Sequence, residues 1–200
     1  MFLLAALAFV STQAHECGNC KNLQFIANKN QWNQQVQYKA NVPFGAVFLE
    51  KNGYTFAKVK EEQFMLLRHN YHHEHQYKPA FPDSLNCHAI KVRFLGSNPA
   101  ATIVGADSLQ EYFNYFLGKD KSKWASRVPG FGTIEYRNVY EGIHLKIYSE
   151  GNHMKSDWIV PAGYTSKTIP IRLKYEGQNA MALQNGALVL TTSVGDIAEA

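Results

Sequence analysis

The stretch Asn114–Tyr148, NYFLGKDKSKWASRVPGFGTIEYRNVYEGIHLKIY, decides the fold class. Its first half gathers aromatics and glycines around Trp124 and a Pro-Gly pair, Pro129-Gly130, read as a turn together with Gly130-Phe131-Gly132. Its second half alternates: Ile143, Leu145 and Ile147 face one way, His144 and Lys146 the other. A period of two belongs to a β-strand with one buried and one wet face. Trp124 is expected to be a core plug whose indole N–H finds a backbone carbonyl. Removing a buried indole costs roughly 3–5 kcal/mol. The competing reading makes Trp124, Tyr115 and Tyr136, with Tyr140 and Trp158, a platform on which a sugar stacks.

The same alternation extends outward in both directions. Val36, Tyr38 and Ala40 repeat it, as do Ile90, Val92 and Phe94, and Ile171, Leu173 and Tyr175. Asn52-Gly53 and Asn185-Gly186 each lie between two such runs and read as tight hairpins, because Asn and Gly tolerate positive φ. Helical signals are few. Glu61–Arg68 is expected to form a short helix burying Phe64, Leu67 and Met65. Leu109, Tyr112, Phe113 and Phe116 have helical spacing after a cap at Asp107 or Ser108, against the alternative of a strand ending in Tyr115–Leu117. The prediction is an all-β domain of antiparallel, sandwich-like sheets with few short helices and two sub-lobes.

Composition agrees. The chain of 200 residues is 13% aromatic and 18% charged, with a net charge of +4. Such a length buries a sizeable core. Lys and Arg are scattered without runs, which argues against nucleic acid as a partner.

The first fourteen residues, MFLLAALAFVSTQA, are apolar and end in small residues. They are too short to span a bilayer and read as a secretory signal cut at Ala14–His15. The alternative is a buried N-terminal helix. The basic residues usual before such a block are missing. No transmembrane segment is expected. The three cysteines are Cys17, Cys20 and Cys87. Cys17-Gly18-Asn19-Cys20 lacks the second pair a zinc site needs. In an exported chain it reads as a structural disulfide or a loose terminal pair, with one cysteine left over.

Between the strands lies His69–Asn86, with His69, His72, His73 and His75 beside Glu74. It has no periodicity and is read as a loop. It is not HExxH, and a loop does not hold ligands rigidly, so no metal site is assigned. Asp120, Asp157, Glu135 and Glu141 are the available carboxylates, and their spacing does not show that any two converge at glycosidase distance. G-x-S-x-G, the P-loop and G-x-G-x-x-G are absent. No catalytic residue and no cofactor is assigned.

Phe25–Trp32, FIANKNQW, with VQYKANVPFGAVFLEKNGYTF after it, resembles the opening of a bacterial domain of unknown function. VRFLGSN (Val92–Asn98), NYFLGKDKSKW (Asn114–Trp124), the block Val128–Tyr148, SDWIVPAG (Ser156–Gly163), IRLKYEG (Ile171–Gly177) and the terminal GALVLTTSVGDIAEA follow in the same order. The resemblance covers nearly all of residues 23–200. His144, Ser97, the CxxC and the histidine segment depart from the pattern. The resemblance implies the N-terminal position in large secreted proteins that carry SBBP β-propeller repeats, PKD-like or Ig-like modules and a type IX, gliding-associated sorting domain. It assigns no activity.

The domains expected are a signal peptide over 1–14, an N-terminal β part over 15–68, the His-rich loop over 69–86, and a C-terminal β part of the same domain over 87–200, cut before its end. The function expected is a non-catalytic structural or interaction module of a secreted or cell-surface protein. Its partners are downstream domains of the parent chain and a surface polysaccharide or protein. The alternative is a carbohydrate-binding or accessory domain of a polysaccharide-degrading enzyme.

Overall fold

A computed structural model describes residues 2–10, 22–72 and 84–199; for 2–10 and 67–72 it describes the backbone alone. The fold is all-β. Among the described residues every strand pairing is antiparallel, and one 14-stranded sheet contains them all.

Three meanders build the sheet. The first runs β2 (Phe25–Ala27), β3 (Val36–Val42), β4 (Gly45–Glu50), β5 (Gly53–Val59) and β6 (Cys87–Phe94). The second is β8 (Ala125–Tyr140), β9 (Ile143–Glu150) and β10 (His153–Val160). The third is β12 (Ala180–Gln184), β13 (Ala187–Thr191) and β14 (Ile197–Glu199). β11 (Leu173–Glu176) pairs with β6. β8 is the branch point: β2 and β9 share one edge, and the long β7 (Thr102–Tyr115) pairs along the other.

The sheet curls over one core. Phe94 of β6 meets Tyr136 of β8 and Trp158 of β10, each at 5.5 Å between ring centroids and close to perpendicular. The Tyr136 hydroxyl donates to the Gly53 carbonyl at 3.1 Å. Burying so large a ring without that acceptor would leave an unpaired hydroxyl, which costs about 1–3 kcal/mol. Tyr136 is therefore a core residue, fully buried, and not part of a surface platform.

Several expectations change at the level of elements. Pro129-Gly130 is not a turn: it lies inside β8, paired with β7 and β2. Packing is close there: a Cβ on Gly130 would meet the Leu109 and Phe113 side chains at 2.9 Å, and those side chains would have to shift. Proline is tolerated beside a register shift in β7, where the ladder is already interrupted. The residues with helical spacing, Leu109–Phe116, belong to strand β7 as far as Tyr115. Of the two hairpins, Asn185-Gly186 has positive φ at both residues, 50° and 82°. At Asn52-Gly53 the chain turns one residue earlier, and Gly53 already pairs with Glu50.

The helix α1 (Glu61–His72) is longer than expected, and Met65 and Leu66 on it are exposed. Phe64 touches Phe44 edge to face at 5.7 Å. The histidine segment therefore starts as helix through His72, while His73, Glu74 and His75 lie outside the described residues. It does not divide the sheet: β5 and β6, on either side of it, pair over seven positions from Gly53↔Arg93 to Val59↔Cys87.

Of the residues read as a secretion signal, Phe2–Val10 form the strand β1, not a helix. β1 pairs with β10 and then with β14. The expected cut at Ala14–His15, and Cys17 and Cys20, lie outside the described residues. Cys87 is a free, exposed thiol.

Candidate functional site

The FIANKNQW stretch explains how one aromatic wall is built. After β2 the chain must reverse into β3, and the Asn28 side chain organises that loop. Its Oδ1 accepts from the Asn30 and Trp32 amides at 3.0 and 3.2 Å. Its Nδ2 donates to the Asn33 and Val36 carbonyls at 2.9 and 2.7 Å. An asparagine supplies both acceptor and donors, so one side chain closes the turn. Two further bonds tie the loop to the β7–β8 hairpin: Asn30 Nδ2 to the Ser122 carbonyl, and Lys29 Nζ to the Arg127 carbonyl.

Trp32 is held against Tyr115, the last residue of β7, with ring centroids 5.3 Å apart and planes at 72°. Below them Ile26, Ala125 and Val128 form a small second core. Between this wall and β3 lies a cleft of about 400 Å³, also flanked by Phe113. That volume is in the range of small-molecule sites. Its polar lining consists of amides, Asn22, Gln24, Asn41 and Asn152, and of one charge, Lys39.

Lys39 follows from the strand period. On β3 it alternates with the buried Ala40 and so points to the outer face. Its ammonium sits 5.5 Å from the Trp32 ring centre and 5.6 Å from that of Phe48. Among the described residues no carboxylate lines the cleft. Partial burial pushes the Lys39 ammonium below its usual range, since desolvation penalises the charged form. Burial likewise raises the Tyr115 phenol.

The other sequence candidates fall elsewhere. Trp124 is not a core plug. It is 38% exposed, just after a 3₁₀ turn at Lys121–Lys123, and its indole donates to the Gly118 carbonyl at 3.3 Å. Phe116 packs on it edge to face and Lys121 lies over its ring. The same hairpin tip carries the exposed Leu117, and none of Phe116, Leu117, Lys121 and Trp124 lines the Trp32 cleft. Tyr140 and Trp158 belong to the main core with Tyr136. Of the five platform aromatics, only Tyr115 lines the cleft.

Of the four sequence carboxylates, Glu135 and Asp157 lie on β8 and β10 opposite the same residue of β9, Lys146. Asp120 caps the 3₁₀ turn through Ser122, Glu135 pairs with Arg137, and the two are structural. Bonds from Ser122 hold the Asp120 carboxyl below its usual range. Among the described residues no group of three His, Cys, Asp or Glu side chains is placed to hold a metal ion. Among the described residues Ser193 Oγ meets His88 Nδ1 at 2.9 Å, with His88 Nε2 against the Gly177 carbonyl at 2.7 Å. The Ser193 backbone amide also points at Nδ1. The pair pins the loop after β13 to β6.

Trp32 and Lys39 escaped sequence reasoning. Trp32 stood in the quoted FIANKNQW block, and Lys39 in an alternating strand, but the long-range partner Tyr115 is invisible to periodicity.

Fold and cleft together define an all-β domain with an aromatic cleft on its outer face. Residues 25–200 match the family model described as "Domain of unknown function (DUF7948)", and the chain belongs to that family. No curated protein and no solved structure matches the chain. The matched span includes Trp32, Lys39 and Tyr115.

Proposed function

We propose that the domain is a non-catalytic interaction module, at the N-terminus of a secreted or cell-surface multidomain protein, that binds its partner in the Trp32–Tyr115 cleft. The observation that carries this reading is the cleft itself. It presents aromatic side chains and a set of amides, which recognise and orient, and among the described residues no carboxylate pair, which a hydrolase would need. The apolar MFLLAALAFVSTQA supports export through a Sec-type signal, and the order of sequence blocks supports a parent chain with SBBP repeats, PKD-like modules and a type IX sorting domain downstream.

A second reading, a carbohydrate-binding or accessory domain of a polysaccharide-degrading enzyme, is favoured by the aromatic wall in particular. Pyranose C–H faces stack on aromatic rings, and amides satisfy their hydroxyls. Both readings predict binding to immobilised surface polysaccharide or protein that Trp32→Ala abolishes while the melting temperature stays near that of the parent chain. Undiminished binding by that variant, or turnover of chromogenic glycosides or esters by the purified domain, contradicts the proposal.

A further inference from the structure

The cleft's charge is one-sided. Among the described residues Lys39 is its single charged lining residue, and no ion pair includes it. Its ammonium lies over two ring faces, Trp32 and Phe48. Lys121 and Lys146 also lie over rings without an ion pair among the described residues, whereas other lysines have acidic partners. Lys91, on the neighbouring sheet surface, sits 2.6 Å from the Glu50 carboxylate, and Lys155 and Lys174 also have acidic partners. Half-burying a cation without a counter-ion is unfavourable, and a ligand carboxylate would remove that cost.

The rest of the lining narrows the ligand. Trp32 and Tyr115 offer apolar ring surface at one wall, and Asn41, Asn152 and Gln24 offer donors and acceptors in pairs. A simple anion would leave the rings and amides unused. A neutral sugar would leave Lys39 unpaired. We infer that the cleft binds a carboxylate-bearing pyranose, an acidic glycan of the uronate class, with the ring against the Trp32–Tyr115 wall and the carboxylate on Lys39.

This rests on the cleft reading proposed above and names its ligand class. Burial already weakens the charged form of Lys39, and a bound carboxylate would push the ammonium back up. The net charge of +4 favours approach of an anionic chain.

The test is calorimetric titration of the whole chain with tetragalacturonate, with its fully methyl-esterified form, and with tetraglutamate. The expected result is one-to-one binding of the acid, with the neutral ester and the peptide at least tenfold weaker. Lys39→Gln should weaken the acid to the level of the ester and leave the ester unchanged, while Lys39→Arg keeps the preference. Trp32→Ala should weaken acid and ester alike. Equal binding of acid and ester, or acid binding that Lys39→Gln does not change, overturns the uronate inference and leaves the cleft reading in place. So does a match between tetraglutamate and the acid sugar, which would assign the site to acidic peptide. Absence of any heat with the acid overturns the inference outright. Binding of all three that ignores Trp32→Ala overturns the cleft reading as well. Equal melting curves of parent and variants confirm that each is folded.

Discussion

Three tryptophans occupy three environments, and each environment predicts its own cost of truncation. Trp158 is 4% exposed and packs against Phe94 and Tyr140 in the main core. Trp158→Ala should cost about 3–5 kcal/mol in a urea unfolding experiment, the range for large buried aromatics. Trp124 keeps one hydrogen bond and one edge-on ring at a hairpin tip, so Trp124→Ala should cost about 1 kcal/mol or less. The reverse order of the two would contradict the placement of both residues. The sequence misassigns Trp124 for a definable reason. A tryptophan beside a Pro-Gly pair reads as buried, but Pro129-Gly130 is strand, and the actual turn is the Gly118–Lys123 segment, where the tryptophan covers the loop that makes it. Trp32 shows the converse. Its indole matters through Tyr115, a residue 83 positions away, and local pattern carries no information about such a contact.

Elements with one wet face were legible, and elements whose partner lies far off were not. β3, β6 and β9 follow period two, because each has a buried side and a solvent side. The Asn185-Gly186 hairpin was legible because the turn chemistry is local. β7 was ambiguous because its apolar residues sit at three- and four-residue spacing around register shifts opposite β8, and each shift moves the alternation out of phase. Tertiary pairing with the 16 residues of β8 decides in favour of the strand. The helix α1 was legible at its start, where Glu61 and Glu62 occupy the first turn, favourable beside the positive end of the helix dipole. Its far end was not, since the polar, histidine-rich continuation carries no apolar stripe to mark it. The cleft sits where three such elements meet: the loop after β2, the outer face of β3 and the end of β7.

At the scale of the whole molecule, the curl brings the last strand back onto the first meander. Glu199 of β14 is buried there, bonded by the Tyr175 hydroxyl, and a hydrogen bond also links it to Tyr54. Its Oε1 has no hydrogen-bond partner among the described residues. Burial raises the Glu199 carboxyl above its ordinary value. The folded state then holds the proton more tightly than the unfolded one. Its contribution is fully present below the ordinary value near 4.5 and is lost as the pH rises through the raised value. Glu176, partly exposed and held by Lys174 and Arg93, is lowered to about 2 and acts oppositely: its contribution is present above 4.5 and disappears as the pH falls toward 2. Glu199→Gln should therefore raise the melting temperature at pH 8 more than at pH 4, measured by thermal unfolding; an equal change at both would contradict a buried, proton-holding carboxyl. The central claim is that the functional surface is the Trp32–Tyr115 cleft and not the exposed aromatic tip around Trp124. Hydrogen exchange of the whole chain with and without saturating tetragalacturonate tests it most directly. The account predicts slowed exchange at Lys39–Val42 and Phe113–Tyr115, with the tip at 116–124 unchanged. Slowed exchange confined to 116–124, with the cleft strands unaffected, would contradict it.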